Sequence, residues 1–121
     1  MHVDRLAFIA FPIADLGRSR AFYGQVLGIS TISESPVWIQ FDFGGVSLRA
    51  YLQNGAYRRQ HSGLLLNVPD IELPYRELQS SGVDLRNNIR KEQWGGRVVT
   101  VADPDGNLFD LIDSAYTEAW H

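Results

Sequence analysis

The 121-residue sequence contains no cysteine. Disulfide bonds, thiol catalysis and zinc–thiolate sites are therefore excluded, and we expect a cytoplasmic location. The sequence also lacks an apolar run near the ~20 residues needed to span a membrane. Its first residues do not follow the pattern of a signal peptide. We therefore expect no contact with a membrane.

Basic residues are also too few and too scattered for a nucleic-acid interface. The formal net charge is −3, and no basic cluster could follow a phosphate backbone. The hydrophobic content of 45% is typical of a globular protein. Three Trp, five Tyr and six Phe are more rings than a small core needs, so some are expected to line a pocket. We predict a single domain over residues 1–121.

Hydrophobic periodicity predicts the element order β-α-β-β-β in the first half of the chain. A strand over residues 5–13 is followed by a helix that Asp15 caps and that ends at Gly28. Three strands follow, in STISES, PVWIQFDF and VSLRAYLQ, with a turn at Gly44-Gly45. We place this first module at about residues 4–54.

The second half repeats that order over about residues 61–114 and leaves a tail at 115–121. A strand in SGLLLNV precedes a helix that Asp70 is expected to cap. A strand in VDLRNNIR and a closing hairpin, GRVVTVA to NLFDLID, complete the module. Pro104 and Gly106 in the DPDG segment favour a tight turn within that hairpin. Two similar units in one chain predict a pseudo-twofold arrangement.

Two segments carry a resemblance to a known family. FPIADLGRSRAFYGQVLGI resembles the opening strand and helix of the vicinal oxygen chelate superfamily, and WGGRVVTVADPDGNLFDLI resembles its last hairpin. The resemblance covers essentially the whole chain. It implies an α+β fold of two βαβββ modules that form cupped, mostly antiparallel sheets with helices on the outer face, often completed by a homodimer. Members include glyoxalase I, extradiol dioxygenases, fosfomycin-modifying enzymes and bleomycin-resistance proteins, so the resemblance leaves function open.

The resemblance also implies where metal-using members hold a divalent ion. Their ligands project from the first and last strand of each module, at positions that correspond here to Phe8, Arg49, Gly63 and Asp110. Only Asp110 offers a donor, because Phe8 and Gly63 have none and Arg49 carries a positive charge. We therefore expect no metal and no cofactor. His61 lies two residues before Gly63, so a metal site built on a different register stays a minor alternative.

Strand alternation indicates which side chains face the expected cleft. The pseudo-twofold makes Arg49 and Asp110 equivalent, so we expect a guanidinium–carboxylate pair in place of a metal. Arg49 could also contact a carboxylate or carbonyl group of a ligand. Aromatic and single polar groups together are typical of ligand pockets. The predicted ligand-binding residues are Phe8, Trp38, Gln40, Arg49, Tyr51, Trp94, Leu108 and Asp110.

The leading functional interpretation is a metal-independent protein that binds an aromatic or carboxylate-bearing small molecule, similar to the drug-sequestering antibiotic-resistance members. Those members usually present an acidic cleft to a cationic drug, so Arg49 argues against bleomycin itself. The alternative is a glyoxalase-like lyase or dioxygenase, with Asp110 as the best catalytic candidate and a divalent metal if the ligand register is misassigned. A dimeric interaction or regulatory module is the third possibility. The sequence leaves open the ligand, the role of Trp120, and whether modules pair within or between chains.

Overall fold

The computed structural model describes residues 1–53, 61–93 and 95–113. The chain divides into two compact units, Met1–Arg58 and Arg59–His121, called unit 1 and unit 2 below. Each unit contains one mixed β-sheet, and the α+β class is confirmed. The predicted cup concerns the relation between the units and stays a prediction.

Unit 1 follows the predicted β-α-β-β-β order. Its sheet has the order β1-β4-β3-β2, with β1 parallel to β4 and the other pairs antiparallel. The elements are β1 (Ile9–Ile13), α1 (Leu16–Ser19) continuing as a π-helical segment (Arg20–Val26), β2 (Ser30–Glu34), β3 (Trp38–Asp42) and β4 (Ser47–Leu52).

Unit 2 repeats this arrangement with one additional short strand. Its first strand, β5, lies parallel to its last strand, β9, and the sheet order is β5-β9-β8-β6, with β7 also paired to β8. The elements are β5 (His61–Val68), α2 (Glu72–Ser80), β6 (Asp84–Leu85), β7 (Arg90–Lys91), β8 (Arg97–Ala102) and β9 (Leu108–Asp113).

Three local predictions need correction. The first strand begins at Ile9 rather than at residue 5, so Phe8 precedes it. The single strand predicted over residues 83–90 is divided into β6 and β7. The first helix continues as a π-helical segment after one α-turn, and the adjacent side chains of Phe22 and Tyr23 in that segment are both buried.

Both α1 and α2 begin beside an aspartate that accepts a backbone N–H, as predicted. Asp70 directly precedes Ile71, the assigned N-cap of α2, and its Oδ1 atom accepts from the Glu72 N–H at 3.1 Å. The Ile71 N–H donates to Asp113. The Asp15 cap is confirmed by its bond from the Arg18 N–H, 2.8 Å.

The core of unit 1 lies between its helical segment and one face of its sheet. The Tyr23 ring lies 5.2 Å from the Phe11 ring and 5.4 Å from the Phe41 ring, measured between centroids. Along β3, Ile39 and Phe41 are buried, whereas the alternating residues Trp38, Gln40 and Asp42 are only half-buried. Since successive strand residues point to opposite faces, the second face of this sheet is left to Trp38, Gln40 and their neighbours.

In the described parts of the chain, no helix combines the length and apolar character required to cross a membrane.

A bidentate ion pair joins the π-helical segment to β2. Arg20 donates from Nε and Nη2 to the two carboxylate oxygens of Glu34, at 2.8 and 3.1 Å. This hydrogen bonding lowers the pKa of Glu34 below its ordinary value. A carboxyl group whose pKa is lower in the folded state stabilises the fold above its unfolded-state pKa, and this contribution is lost as the pH falls through the folded-state pKa.

An NMR titration of the Glu34 carboxyl carbon tests this pair. We expect the pKa of Glu34 to return to the ordinary glutamate range in the Arg20→Gln variant, because the donor that favours the charged carboxylate is gone. Arg18→Gln removes another exposed charge of the same helix and serves as the control, because Arg20 is the charged group that lowers the pKa of Glu34. An unchanged Glu34 pKa in Arg20→Gln would contradict the assigned cause.

Candidate functional site

Arg49 stands at the centre of the second face of the unit 1 sheet. It belongs to β4, which lies between β1 and β3. The strand register places Ala10 beside Arg49 on one side and Gln40 on the other. The side chain is half-buried, whereas its strand neighbours Leu48 and Ala50 are buried in the core. Strand alternation therefore places the guanidinium on the sheet face opposite the buried core, as predicted.

The Arg49 guanidinium is held between aromatic rings. Its Cζ atom lies 4.1 Å from the centroid of the Phe8 ring and 4.1 Å from that of the Trp38 ring. Phe8 directly precedes β1 and Trp38 begins β3, so the rings approach from opposite sides of β4. Each distance is well within the ~6 Å range of a cation–π interaction, which contributes roughly 0.5–2 kcal/mol.

Gln40 fixes the orientation of the guanidinium within its plane. Its Oε1 atom accepts from Arg49 Nε at 3.0 Å and from Arg49 Nη2 at 2.6 Å. Because arginine can only donate, the amide of Gln40 must present its oxygen here, which settles the assignment of its oxygen and nitrogen. The guanidinium is thus positioned by a neutral acceptor and by rings. We call Phe8, Trp38, Gln40 and Arg49 the Arg49 cluster.

The other predicted site residues are distributed as follows. Tyr51 lies opposite Trp38 in the β3–β4 register and is half-buried on the same strand face as Arg49. Leu108 and Asp110 belong to β9 in unit 2, where both are half-buried. Trp94 lies outside the described residues, as does Trp120. The structure therefore brings four of the eight predicted residues into direct contact. The predicted Arg49–Asp110 pair concerns both units and stays a prediction.

Asp110 has polar partners within unit 2. Its Oδ1 atom accepts from the Thr100 hydroxyl at 2.7 Å, and its Oδ2 atom lies 3.2 Å from Nε2 of His61. The Thr100 hydroxyl in turn accepts from Arg90 Nη1 at 3.2 Å. The Asp110 side chain is 15% exposed, so its carboxylate is mostly removed from solvent but well hydrogen-bonded.

The contact between His61 and Asp110 was missed from the sequence, where His61 was considered only as a minor metal candidate. Its Nδ1 atom accepts from the backbone N–H of Gly63 at 2.8 Å. Gly63 has a φ of +83°, and the β5–β9 register shifts between His61 and Leu65. This bulge turns His61 towards Asp110. The glycine two residues after His61 was the available signal, because an isolated glycine in a strand pattern favours a bulge.

Comparison with known proteins identifies the family. The family model of the Glyoxalase/Bleomycin resistance protein/Dioxygenase superfamily matches residues 5–111. The chain belongs to this superfamily.

The relatives within the superfamily differ in what their names describe. Metallothiol transferase FosB of Lysinibacillus sphaericus is 21% identical over 117 residues, which are 92% of this chain and 83% of that protein. Lactoylglutathione lyase of Agrobacterium tumefaciens has a TM-score of 0.76 at 17% identity, with 94% of this chain and 96% of that chain covered. TnmS3, an antibiotic-binding protein of Streptomyces sp. CB03234, has a TM-score of 0.70 at 24% identity, with 93% and 98% covered. At these identities the solved structures establish the fold alone.

The superfamily resemblance implies a divalent metal in some members, and the described residues at the implied ligand positions do not supply a ligand set for one. Of the four implied ligand positions, Asp110 alone provides a donor. Both ring nitrogens of His61 are engaged, one with the Gly63 N–H and the other beside Asp110. Over residues 1–53, 61–93 and 95–113, no group of three or more His, Cys, Asp or Glu could hold a metal ion. Two donors are too few for a stable zinc-type site.

Proposed function

We propose that the protein is a metal-independent binder of a small molecule with a flat aromatic part, similar in role to the antibiotic-binding members of its superfamily. The observation that carries this proposal is the Arg49 cluster. Phe8 and Arg49 occupy positions where the resemblance implies metal ligands, and they form an aromatic–guanidinium stack instead. A site of rings with a few oriented polar groups is the usual composition of a small-molecule pocket.

The positive charge of the Arg49 cluster argues against a cationic ligand. Arg49 contributes a positive charge, and among the described residues of unit 1 no carboxylate lies within ion-pair distance of its guanidinium. A cationic ligand would be repelled at this position. TnmS3, an antibiotic-binding protein of the same fold, supports a binding role for this chain. The natural ligand of this chain is therefore expected to be neutral or anionic near Arg49.

The second candidate is an enzyme of the glyoxalase or dioxygenase type, and the observation in its favour is the His61–Asp110 pair. A carboxylate that orients an imidazole is a common arrangement for general-base catalysis. Here, however, the second nitrogen of the imidazole accepts the Gly63 N–H, so a ring rotation would have to precede proton abstraction. For this reason an enzymatic function is the second candidate.

We also propose that the protein forms a homodimer and is located in the cytoplasm.

Metal content and chelation test the proposal directly. Elemental analysis of the purified protein is expected to give well below one equivalent of divalent metal per chain. In a thermal-shift screen of aromatic drugs and aromatic acids, a ligand should raise the melting temperature equally with and without EDTA. Ligand at a hundred times its Kd stabilises the native state by about 2.7 kcal/mol, which such a screen detects easily.

One equivalent of bound metal, or a ligand shift that EDTA abolishes, would refute metal independence and favour the enzyme. Turnover of a dicarbonyl–thiol adduct or of a catechol without added metal would also favour the enzyme. If no compound of the panel shifts the melting temperature, the binding function itself fails.

A further inference from the structure

The guanidinium of Arg49 retains one edge that the described residues of unit 1 leave open. Gln40 accepts from Nε and Nη2, which form the side edge of the group. The rings of Phe8 and Trp38 lie over the guanidinium carbon. Arginine has five N–H donors, so both hydrogens on Nη1 and the outer hydrogen on Nη2 remain. The Nη1 and Nη2 hydrogens at the end of the group point in the same direction, as a fork.

This fork is also a centre of uncompensated charge within unit 1. The ion pair described in that unit joins Arg20 to Glu34 and leaves Arg49 outside it. The direct hydrogen-bond acceptor of Arg49 is a neutral amide, and the half-buried guanidinium is partly removed from water. A partly desolvated cation with free donors attracts an anion more strongly than an exposed one does.

We propose that the end of the Arg49 guanidinium binds the carboxylate of an aromatic monoacid. This inference rests on the proposed binding function and adds the class of ligand. A planar carboxylate matches two parallel N–H donors, and its single charge equals that of Arg49. The exposed Phe8 ring and the half-buried rings of Trp38 and Tyr51 supply apolar surface for the ring of the acid. A dianionic phosphate also fits the fork, but its second charge has to be desolvated without a second cation from the Arg49 cluster, so we expect it to bind more weakly.

Isothermal titration of the full chain with four matched naphthalene probes tests this class. The probes are 1-naphthoate, its neutral isostere 1-naphthamide, 1-naphthyl phosphate and 1-naphthylmethylammonium. We expect 1-naphthoate to bind about tenfold to a hundredfold more tightly than the amide, as a charge-assisted bidentate contact provides. The phosphate should bind more weakly than the carboxylate, and the ammonium most weakly. This comparison needs no variant, so a folding defect cannot obscure it.

Two variants assign the contact to Arg49. Arg49→Lys retains the charge and loses the fork, so the affinity for 1-naphthoate should fall at least tenfold while that for 1-naphthamide changes little. Gln40→Glu keeps the guanidinium in place and neutralises it, with the same selective loss. Arg20→Lys makes the same substitution in the exposed pair with Glu34 and should leave both affinities unchanged.

Each negative outcome has a separate meaning. Equal binding of 1-naphthoate and 1-naphthamide, or a full affinity for 1-naphthoate in Arg49→Lys, overturns the carboxylate inference and leaves the binding function intact. The same holds if 1-naphthoate binds only after Asp110→Asn, because the fork would then be occupied in the native protein. If neither these probes nor any compound of the thermal-shift panel binds, the proposed function fails as well.

Discussion

Asp113→Ala should lower the free energy of unfolding by about 1–3 kcal/mol, the cost of leaving a buried hydrogen-bond donor without its acceptor. Asp113 ends β9 and is 1% exposed. Its Oδ2 atom accepts from Nη2 of Arg97 and, at 3.2 Å, from the backbone N–H of Ile71 at the start of α2. The alanine variant leaves the Ile71 N–H without its acceptor, which accounts for most of the expected loss. Arg97 loses its closest counter-charge but keeps Glu72 at 3.5 Å and Asp70 at 3.7 Å.

Urea denaturation of the two proteins measures this difference. Asp113→Asn retains an acceptor for Ile71 and loses only the charge, so its cost should be smaller. The matched control is Asp84→Ala, which breaks the exposed pair with Arg86 and should cost less than about 1 kcal/mol. Similar losses for Asp113→Ala and Asp84→Ala would show that the buried pair does not stabilise unit 2 in the way described.

The second large effect is expected at Phe41, and it should contrast with that at Trp38 on the same strand. Phe41 is fully buried and packs against Tyr23. Phe41→Ala should therefore lower the free energy of unfolding by about 3–5 kcal/mol. Trp38 belongs to the opposite face of β3, is half-buried and stacks on Arg49. Trp38→Ala should cost much less stability and should weaken ligand binding.

Parallel urea denaturation and titration with the ligand obtained from the thermal-shift screen measure both properties. Phe41→Leu retains most of the apolar volume and is the conservative control for the core. If Trp38→Ala is as destabilising as Phe41→Ala and leaves binding unchanged, Trp38 is a structural residue and the Arg49 cluster is not the binding site.

The sequence predicted the Arg49 cluster only in part. Period-two alternation was enough to place Trp38, Gln40, Arg49 and Tyr51 on one face, because the apolar residues between them have to face the helices. The β3–β4 register, which makes Gln40 the neighbour of Arg49, cannot be read from alternation alone. Phe8 was included through the family resemblance, although the predicted strand began four residues too early.

Unit 2 contains contacts that were not predicted from the sequence. The predicted Arg49–Asp110 pair stays a prediction, and the partners described for Asp110 within unit 2 are His61 and Thr100. Thr100 lies opposite Asp110 in the β8–β9 register, and His61 reaches it through the bulge at Gly63. A bulge shifts the register of all residues on one side of it, so a contact beyond it does not follow from a regular strand.

The sequence by itself determined the order of elements in unit 1, the buried and half-buried faces of the main strands, and the scarcity of metal donors at the positions that the superfamily resemblance implies. These properties follow from side-chain chemistry and from periodicity along a strand, which are local. Only the tertiary structure decided that two rings and an amide hold Arg49 and that an imidazole contacts Asp110. These contacts join residues that are far apart in the sequence, and His61 and Asp110 are separated by 49 positions. They depend on strand order and register, which no local sequence pattern specifies.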